Sequence, residues 1–377
     1  MVKSSLVIRL SLLTAMSCGR IVDGGSQSIV MNRLWLAPFP TRSAWPGLPA
    51  LDGDMVLVGL PGGMAAFDAR TGNPLWKASI WSADKTSFAG NVVANNGVAC
   101  IADYFGVGCV EMATGRVHWT RQEDHPTQHG RSAIDATSLY YGTANHTVVA
   151  RDLVTGERRW ATDVDSGTTL LSRVFGVALR GDTVFATTAR VVLGGKAIVG
   201  DLIALSRSTG RELWRHTGPS PSAFQGAPVL AGNLAILNDV QSAGLVAIDL
   251  TSRREAWHTP VGTDGFITAE TPPVLVGDTL FTGSRDTRVY AVDVRTGALR
   301  WHAGAQAGSI GNTAVCGRLV LVVPFAGGRL NAVDRVTLRA ERPTVLQGDE
   351  LSGGIAVSGT TAYAMGARGL YALRCPE

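Results

Sequence analysis

The feature that most constrains the fold is an eleven-residue unit that recurs along the chain and is best preserved at residues 291–301. A segment of alternating apolar residues, typical of a strand, ends there at Asp293. Thr296 and Gly297 come next, and Trp301 stands eight residues after the aspartate. The carboxylate can accept hydrogen bonds from the amides of the turn, and glycine readily adopts a left-handed backbone. The unit therefore predicts a tight β-hairpin with a tryptophan on its return strand.

Copies of this unit recur at a nearly fixed period. The tryptophan position returns every 41 to 44 residues, with one longer step of 54 residues. The copies end at Trp76, Trp119, Trp160, Trp214, Trp257, Trp301 and, in a decayed copy, Arg342. Arg253 and Leu338 replace the glycine in two copies. An earlier turn signal stands in nearly every interval, so each repeat predicts four short strands. Repeats of this kind are the blades of a β-propeller.

The two ends of the chain predict how the propeller closes. The last repeat, 353–375, supplies three strands, and a strand-like segment at 29–35 ends in tryptophan with no hairpin before it. That segment is the predicted fourth strand of the last blade. The predicted fold class is all-β, an eight-bladed propeller of four-stranded antiparallel blades closed by the N-terminal strand. Closure removes the free sheet edges of an open array.

The predicted organisation has two parts. Residues 1–27 form a signal- or lipoprotein-type segment with a short tether, and residues 28–377 form a single propeller domain.

The repeat resembles the tryptophan-docking unit of the quinoprotein (PQQ-like) β-propellers over essentially the whole chain after about residue 28. In that family the tryptophan packs against the glycine-containing turn of the neighbouring blade. The resemblance implies a structural docking role, rather than a ligand cage, for six tryptophans. They are Trp76, Trp119, Trp160, Trp214, Trp257 and Trp301. Each would bury about 150–250 Å² of surface.

The N-terminus indicates a cellular compartment. Lys3 begins a segment with a short apolar run and small residues before Cys18, which resembles a bacterial lipoprotein signal with Cys18 as the lipidated residue. This predicts a periplasm-facing lipoprotein of the cell envelope, in contact with the membrane only through its lipid. Arg9 interrupts the apolar run, so plain secretion and an uncleaved N-terminus on a cytoplasmic protein remain alternatives. No apolar run is long enough for a membrane-spanning helix.

The cysteines give a second indication of compartment. Cys100 and Cys109 flank a short turn and are predicted to face each other across a hairpin, as a candidate disulfide. A disulfide suits an oxidising compartment, and two buried thiols are the alternative. Cys316 and Cys375 are expected to be free.

The sequence predicts no catalytic, cofactor-binding or metal-binding residue. The chain lacks the adjacent cysteine pair and the large insertions of quinoprotein dehydrogenases, so bound PQQ is not expected. His125 and His129 have helical spacing beside Asp124, but Pro126 makes a helix and a metal site there unlikely in this sequence. Nucleophile and phosphate-loop motifs are absent. The net charge of +4 is spread over scattered residues, so no nucleic-acid partner is expected.

The prediction that remains is a protein-binding surface. The connections between blades are long, and the insertion at 190–200 falls on the same face of the ring. Apolar residues with basic neighbours suit an interface. The predicted partner contacts are Arg190, Leu193, Lys196, Ile198 and Phe266. Trp81 and Phe224 are further exposed anchors on this hypothesis, and a plain extension of the two strands is the alternative for the insertion.

The chain also resembles the scaffold lipoproteins of outer-membrane barrel assembly. The resemblance implies a monomeric, non-catalytic scaffold whose partner is another envelope protein, with the barrel-assembly subunit as the candidate. A PQQ-dependent dehydrogenase-like enzyme and a soluble ligand- or peptide-binding propeller are the alternatives.

Overall fold

The computed structural model describes residues 27–29, 31–38, 47–81, 90–103, 106–122, 131–165, 169–192, 198–262, 272–305, 307, 310–324, 328–343 and 351–376. All regular structure in these ranges is β-strand, arranged in eight sheets. The described residues include no helix long and apolar enough to cross a bilayer.

Two N-terminal strands precede the blades, β1 (Gln27–Ile29) and β2 (Arg33–Pro38). The strands of blades 1 and 2 are β3 (Ala50–Asp52), β4 (Met55–Leu60), β5 (Gly63–Asp68), β6 (Pro74–Ser79), β7 (Asn91–Asn95), β8 (Val98–Ala102), β9 (Gly106–Glu111) and β10 (Val117–Gln122). The strands of blades 3 and 4 are β11 (Ala133–Ile134), β12 (Ser138–Gly142), β13 (Thr147–Asp152), β14 (Arg158–Asp163), β15 (Thr169–Arg180), β16 (Thr183–Val192), β17 (Ile198–Ser206) and β18 (Glu212–Thr217).

The second half of the chain repeats this order. The strands of blades 5 and 6 are β19 (Phe224–Ala231), β20 (Leu234–Asp239), β21 (Gly244–Asp249), β22 (Arg254–Pro260), β23 (Val274–Val276), β24 (Thr279–Gly283), β25 (Arg288–Asp293) and β26 (Leu299–Gly304). The strands of blades 7 and 8 are β27 (Ile310–Cys316), β28 (Leu319–Pro324), β29 (Asn331–Asp334), β30 (Ala340–Pro343), β31 (Leu351–Ser358), β32 (Thr361–Gly366) and β33 (Gly369–Arg374).

The hydrophobic core lies between the sheets. Within a blade, consecutive strands pair antiparallel, the two middle strands are almost fully buried, and the last strand is largely exposed. The buried apolar side chains form eight clusters, and each cluster joins two neighbouring blades. One of them joins blade 8 to blade 1, through residues such as Met365 and Val58. The blades therefore form a closed ring, and the predicted eight-bladed fold is confirmed.

The ring closes through the N-terminal strand, as predicted. Strand β2 pairs antiparallel with β33, with Trp35 opposite Ala372, and becomes the fourth strand of blade 8. Strand β1 was not predicted as a separate element. It pairs parallel with β30 at the outer edge of blade 7, with Ser28 opposite Arg342, and makes that sheet five-stranded. The outermost strand of a sheet has unpaired amides and carbonyls on one side. Strand β1 pairs with this free edge of β30.

The repeated turn has the predicted geometry. Asp293 Oδ1 accepts hydrogen bonds from the amides of Arg295 and Thr296 at 3.0 and 2.9 Å, and Gly297 has a φ of 72°. In the decayed copies Arg253 and Leu338 have φ values of 61° and 59°. They keep the left-handed conformation without the glycine that favours it.

The charge of the turn aspartate is also stabilised. Burial acts to raise the pKa of Asp152, but hydrogen bonds from Arg159 and from the amides of Thr155 and Val154 outweigh it and lower the pKa to about 2. The carboxylate therefore stays ionised, and remains a hydrogen-bond acceptor for the turn, at all physiological pH values.

Two disulfides join strands of this ring. Cys100 and Cys109 are directly opposite on β8 and β9, with Cα atoms 4.1 Å apart, and their sulfurs are bonded. The expectation that Cys316 and Cys375 are free was wrong, because these two residues form a second disulfide with a Cα separation of 5.5 Å. Cys316 ends β27 in blade 7, and Cys375 directly follows β33 in blade 8. Because these blades are neighbours in the ring, the two cysteines meet although they are 59 residues apart in sequence.

Candidate functional site

Tryptophans join neighbouring blades at seven of the eight joints, and Arg342 stands at the corresponding position between blades 7 and 8. Trp119, on the last strand of blade 2, donates a hydrogen bond from its indole nitrogen to the carbonyl of Leu153 in blade 3, at 2.8 Å. Its ring also covers Gly156, where a Cβ atom would overlap the indole. The same donation links Trp76 to Met112, Trp160 to Arg207 and Trp257 to Val294, at 2.7, 2.9 and 3.2 Å. These contacts place the four indole rings at the joints between blades.

Trp35 makes the same contact across the closure of the ring. Its indole nitrogen donates to the carbonyl of Ala69 at 3.1 Å, and its ring covers Gly72. The list of docking tryptophans drawn from the sequence omitted Trp35, because only the complete hairpin units were counted. Its position at the end of an isolated strand was the available signal.

Trp214 and Trp301 face turns that lack the glycine. The guanidinium of Arg253 lies 5.8 Å from the ring centre of Trp214, in a cation–π arrangement. Trp301 packs in the cluster between blades 6 and 7 that contains Leu338. Side-chain contacts thus replace the close approach to glycine at these two joints.

We expect Arg253→Gly to leave stability within about 1 kcal/mol of the wild type. Glycine removes the left-handed strain, worth about 1–2 kcal/mol, but the cation–π contact with Trp214, worth about 0.5–1 kcal/mol, is lost. Arg253→Ala is the matched control, because it loses the contact and keeps the strain. Urea titration should show Arg253→Ala to be the less stable variant. Equal stability of the two variants would show that position 253 is not strained.

Blade 4 differs from the others in strand length. Its first three strands have 12, 10 and 9 residues, whereas the middle strands of blade 5 have 6 each. The turn between β15 and β16 pairs Arg180 with Thr183, and the matching turn of blade 5 pairs Ala231 with Leu234. Since these turns are equally short, the extra residues of blade 4 lie at the opposite end of its strands. At about 3.3 Å per residue, β16 and β17 extend beyond the ring on the face that carries the connections between blades.

A buried aspartate anchors this extension. Asp201 is fully buried and accepts hydrogen bonds from Arg190 Nε at 2.9 Å and from Thr217 Oγ1 at 2.6 Å. Arg215 Nη1 lies 3.3 Å from the same carboxylate and reaches back to the carbonyl of Val164 in blade 3. Burial alone would lower the pKa of Arg215, but its hydrogen bond with Glu212 and the charge of Asp201 raise it. The charges of the two arginines are balanced by Asp201 and by Glu212, whose carboxylate lies 2.8 Å from Arg215 Nη2.

The structure separates the residues predicted to contact a partner. Arg190 and Ile198 lie on the extended strands, and Ile198 pairs with Val191 at its tip. The side chain of Arg190 is 20% exposed and points back to Asp201. Leu193, Lys196 and Phe266 lie outside the described residues, as do Cys18, His125 and His129. Among the described residues, no group of three or more His, Cys, Asp or Glu side chains could hold a metal ion.

Phe224 is not an exposed anchor. Its side chain is 1% exposed and packs in the cluster between blades 4 and 5. It begins strand β19, and Gly200 and Gly218 leave the space that its ring fills. Trp81 is half-buried against the cluster between blades 1 and 2.

A cavity of about 660 Å³ lies on the ring axis and is lined by the first strand of every blade, or by the residues just before it. Most of its wall is apolar. The wall includes Val92, Val177, Val229, Val274, Val315 and Ile355. Asn91, Arg131, Ser132, Asn312 and Thr313 contribute its polar part.

Comparison with known proteins gives a consistent family. A family model described as "Outer membrane protein assembly factor BamB" matches residues 34–162 and 163–335. Two curated relatives carry the same description. The protein of Alteromonas naphthalenivorans is 29% identical over 49% of this chain and 43% of its own length, so the match spans less than half of that relative. The protein of Burkholderia pseudomallei is 24% identical over 79% of this chain and 76% of its own length.

Solved structures show the same fold at low identity. BamB from Moraxella catarrhalis superposes with a TM-score of 0.66 at 14% identity, over 92% of this chain and 100% of that one. A quinohemoprotein alcohol dehydrogenase from Pseudomonas putida superposes with a TM-score of 0.67 at 12% identity, over 91% of this chain and 75% of that one. Since BamB and an alcohol dehydrogenase resemble this fold equally well, the fold alone does not assign a function.

Proposed function

The chain belongs to the family of the outer membrane protein assembly factor BamB, and from this membership we propose that it is a non-catalytic scaffold that binds another protein of the bacterial cell envelope. The observation that carries the proposal is the match of the family over residues 34–162 and 163–335, which takes in blades 1 to 6 and the first three strands of blade 7. The proposed process is the assembly of outer-membrane proteins, with the barrel-assembly subunit as partner.

The rigidity of the ring supports this role. Tryptophans on successive blades dock on the next blade, and the last joint closes through Trp35. Such a ring holds its loops at fixed positions, and loops on a rigid scaffold are where binding usually occurs. The disulfides of Cys100 with Cys109 and of Cys316 with Cys375 support an oxidising compartment such as the periplasm. Lipidation at Cys18 remains part of the proposal.

The extension of blade 4 is the proposed docking element. Strands β16 and β17 project from the face that carries the connections, and at their base Asp201 holds Arg190 in place. Arg190 uses Nε for Asp201, and an arginine has four further N–H donors with which it can bind a partner's carboxylate. Leu193, Lys196, Ile198 and Phe266 complete the proposed contact surface.

Shortening this hairpin tests the proposal. Replacing residues 192–197 by Asn-Gly joins Val191 to Ile198 through a two-residue turn and preserves the ion pair of Arg190 with Asp201. We expect an unchanged melting curve and an approximately tenfold or greater loss of the barrel-assembly subunit in a crosslinking pull-down from envelope extract, the loss typical of an interface centre.

Arg180→Ser is the matched control, because Arg180 is exposed at the opposite end of the same blade. This variant should recover the partner in wild-type amounts. Recovery of the subunit in equal amounts by the shortened variant would exclude the hairpin as the docking element. Saturable binding of PQQ to the purified protein, followed by absorbance, would contradict the non-catalytic scaffold.

A further inference from the structure

Within the part of the chain that the structure describes, the wall of the central cavity contains a cation and no counter-charge. Among the described residues that line it, Arg131 is the one with a charged side chain. Its Nε is buried without a hydrogen-bond partner, and no ion pair of its guanidinium is found within the described residues. Burial lowers the pKa of Arg131 to about 10, so the group is still cationic at neutral pH. A buried charge of this kind is costly to maintain unless something compensates it.

The position of Arg131 is set by the backbone. Its carbonyl accepts a hydrogen bond from the amide of Val177 at 3.0 Å, and the residue forms a parallel bridge with Gly176. Blade 3 therefore holds Arg131 against the first strand of blade 4. The side chain contributes to the wall of the cavity and is partly buried, with Nε fully buried. Arg131 is therefore a polar residue that a ligand in the cavity would meet.

The other polar groups of the wall also favour an anion. Ser132 has a buried hydroxyl with no hydrogen-bond partner. The side-chain oxygen of Asn91 accepts from the amide of Leu48 at 2.9 Å, which leaves the NH₂ group of Asn91 to donate. Asn312 and Thr313 add further donors, and no carboxylate lines the described wall. Such donors suit a ligand group that only accepts hydrogen bonds, as a carboxylate does.

Size and polarity describe the rest of the ligand. A volume of about 660 Å³ lies in the range of small-molecule sites, roughly 300–1,000 Å³. The valines and Ile355 of the wall offer no partner to a polar body, so an apolar body loses the least on entering. We propose that the central cavity binds a small apolar monocarboxylate, whose carboxylate pairs with Arg131 and whose body lies against Val92, Val177 and Val229.

Matched ligands test this site in the purified full-length protein. Octanoate, octanol and octylamine share an apolar chain and differ in charge. By isothermal titration calorimetry we expect saturable binding of octanoate, with octanol weaker by about tenfold or more and octylamine weaker still, because a charge-assisted hydrogen bond is lost. Equal affinities of the three ligands, or no saturable binding of octanoate in the millimolar range, would overturn the proposal.

Matched variants identify the residue. Arg131→Met keeps the length of the side chain and removes the charge, so octanoate should bind about tenfold or more weakly. Because an uncompensated buried charge is removed, this variant should be at least as resistant to urea as the wild type. Arg70→Met, at an exposed turn, should change neither property. Unchanged octanoate affinity in Arg131→Met would show that Arg131 does not bind the ligand. A large loss of stability in this variant would show that the guanidinium already has a partner within the protein, which would contradict its role in ligand binding.

Discussion

Deletion of residues 27–38 should destabilise the whole ring by at least about 5 kcal/mol, more than the loss of one buried tryptophan. The deletion removes β1 and β2, and with them the docking of Trp35 on Ala69 and the burial of Ala37 between blades 8 and 1. Strand β33, of which five of six residues are buried, would become an open edge. Urea titration followed by circular dichroism measures the loss as a lower midpoint.

A chain that begins at residue 27 is the reference for this deletion, because it keeps both strands. Addition of a synthetic peptide of residues 27–38 should restore stability in a concentration-dependent manner, since binding to the folded state alone stabilises it. A midpoint equal to that of the reference chain would show that the N-terminal strands do not close the ring.

Trp119→Ala should lower the free energy of unfolding by about 3–5 kcal/mol. The side chain is 5% exposed, packs between blades 2 and 3, and covers Gly156. Its removal leaves a cavity and an unpaired carbonyl at Leu153. Urea titration provides the measurement.

Trp119→Phe separates the two contributions. Phenylalanine keeps most of the packing and loses the donor, so we expect a smaller loss, with about 1 kcal/mol from the hydrogen bond. Trp301 is less buried than Trp119 and has no glycine beneath it. The loss of unfolding free energy should therefore be smaller for Trp301→Ala than for Trp119→Ala, within the same range of about 3–5 kcal/mol. A loss of under about 1 kcal/mol for Trp119→Ala would contradict a docking role for this residue.

The repeat made most of the fold predictable from sequence. Each copy specifies a turn, a strand register and a tryptophan, and the copies differ little, so blade number and ring closure followed from counting. Positive φ values at Arg253 and Leu338 show that the backbone of the turn persists after its glycine is lost. Local sequence patterns thus described what happens inside a blade.

Contacts between blades were harder to predict. The disulfide of Cys316 with Cys375, the burial of Phe224 and the hydrogen bond of Arg215 to the carbonyl of Val164 depend on which residues the ring brings together. Arg131 had no motif around it. Its place in the cavity wall appears only when the first strands of all eight blades are placed around one axis. The docking face stays a prediction, and no sequence pattern indicated a charge inside the ring.

The seam between the two ends of the chain has a consequence for folding kinetics. The indole nitrogen of Trp35 and the hydroxyl of Tyr363 both donate to the carbonyl of Ala69, each at 3.1 Å, and Tyr363 is separated from Ala69 by 294 residues. During synthesis β2 is among the first strands to be made, but its partner β33 is among the last. Seven blades can form from four consecutive strands each while β2 stays unpaired, and so remote a contact is slow to form. Ring closure should therefore be the final and slowest step, during which the strand edges of blade 8 are open to other chains.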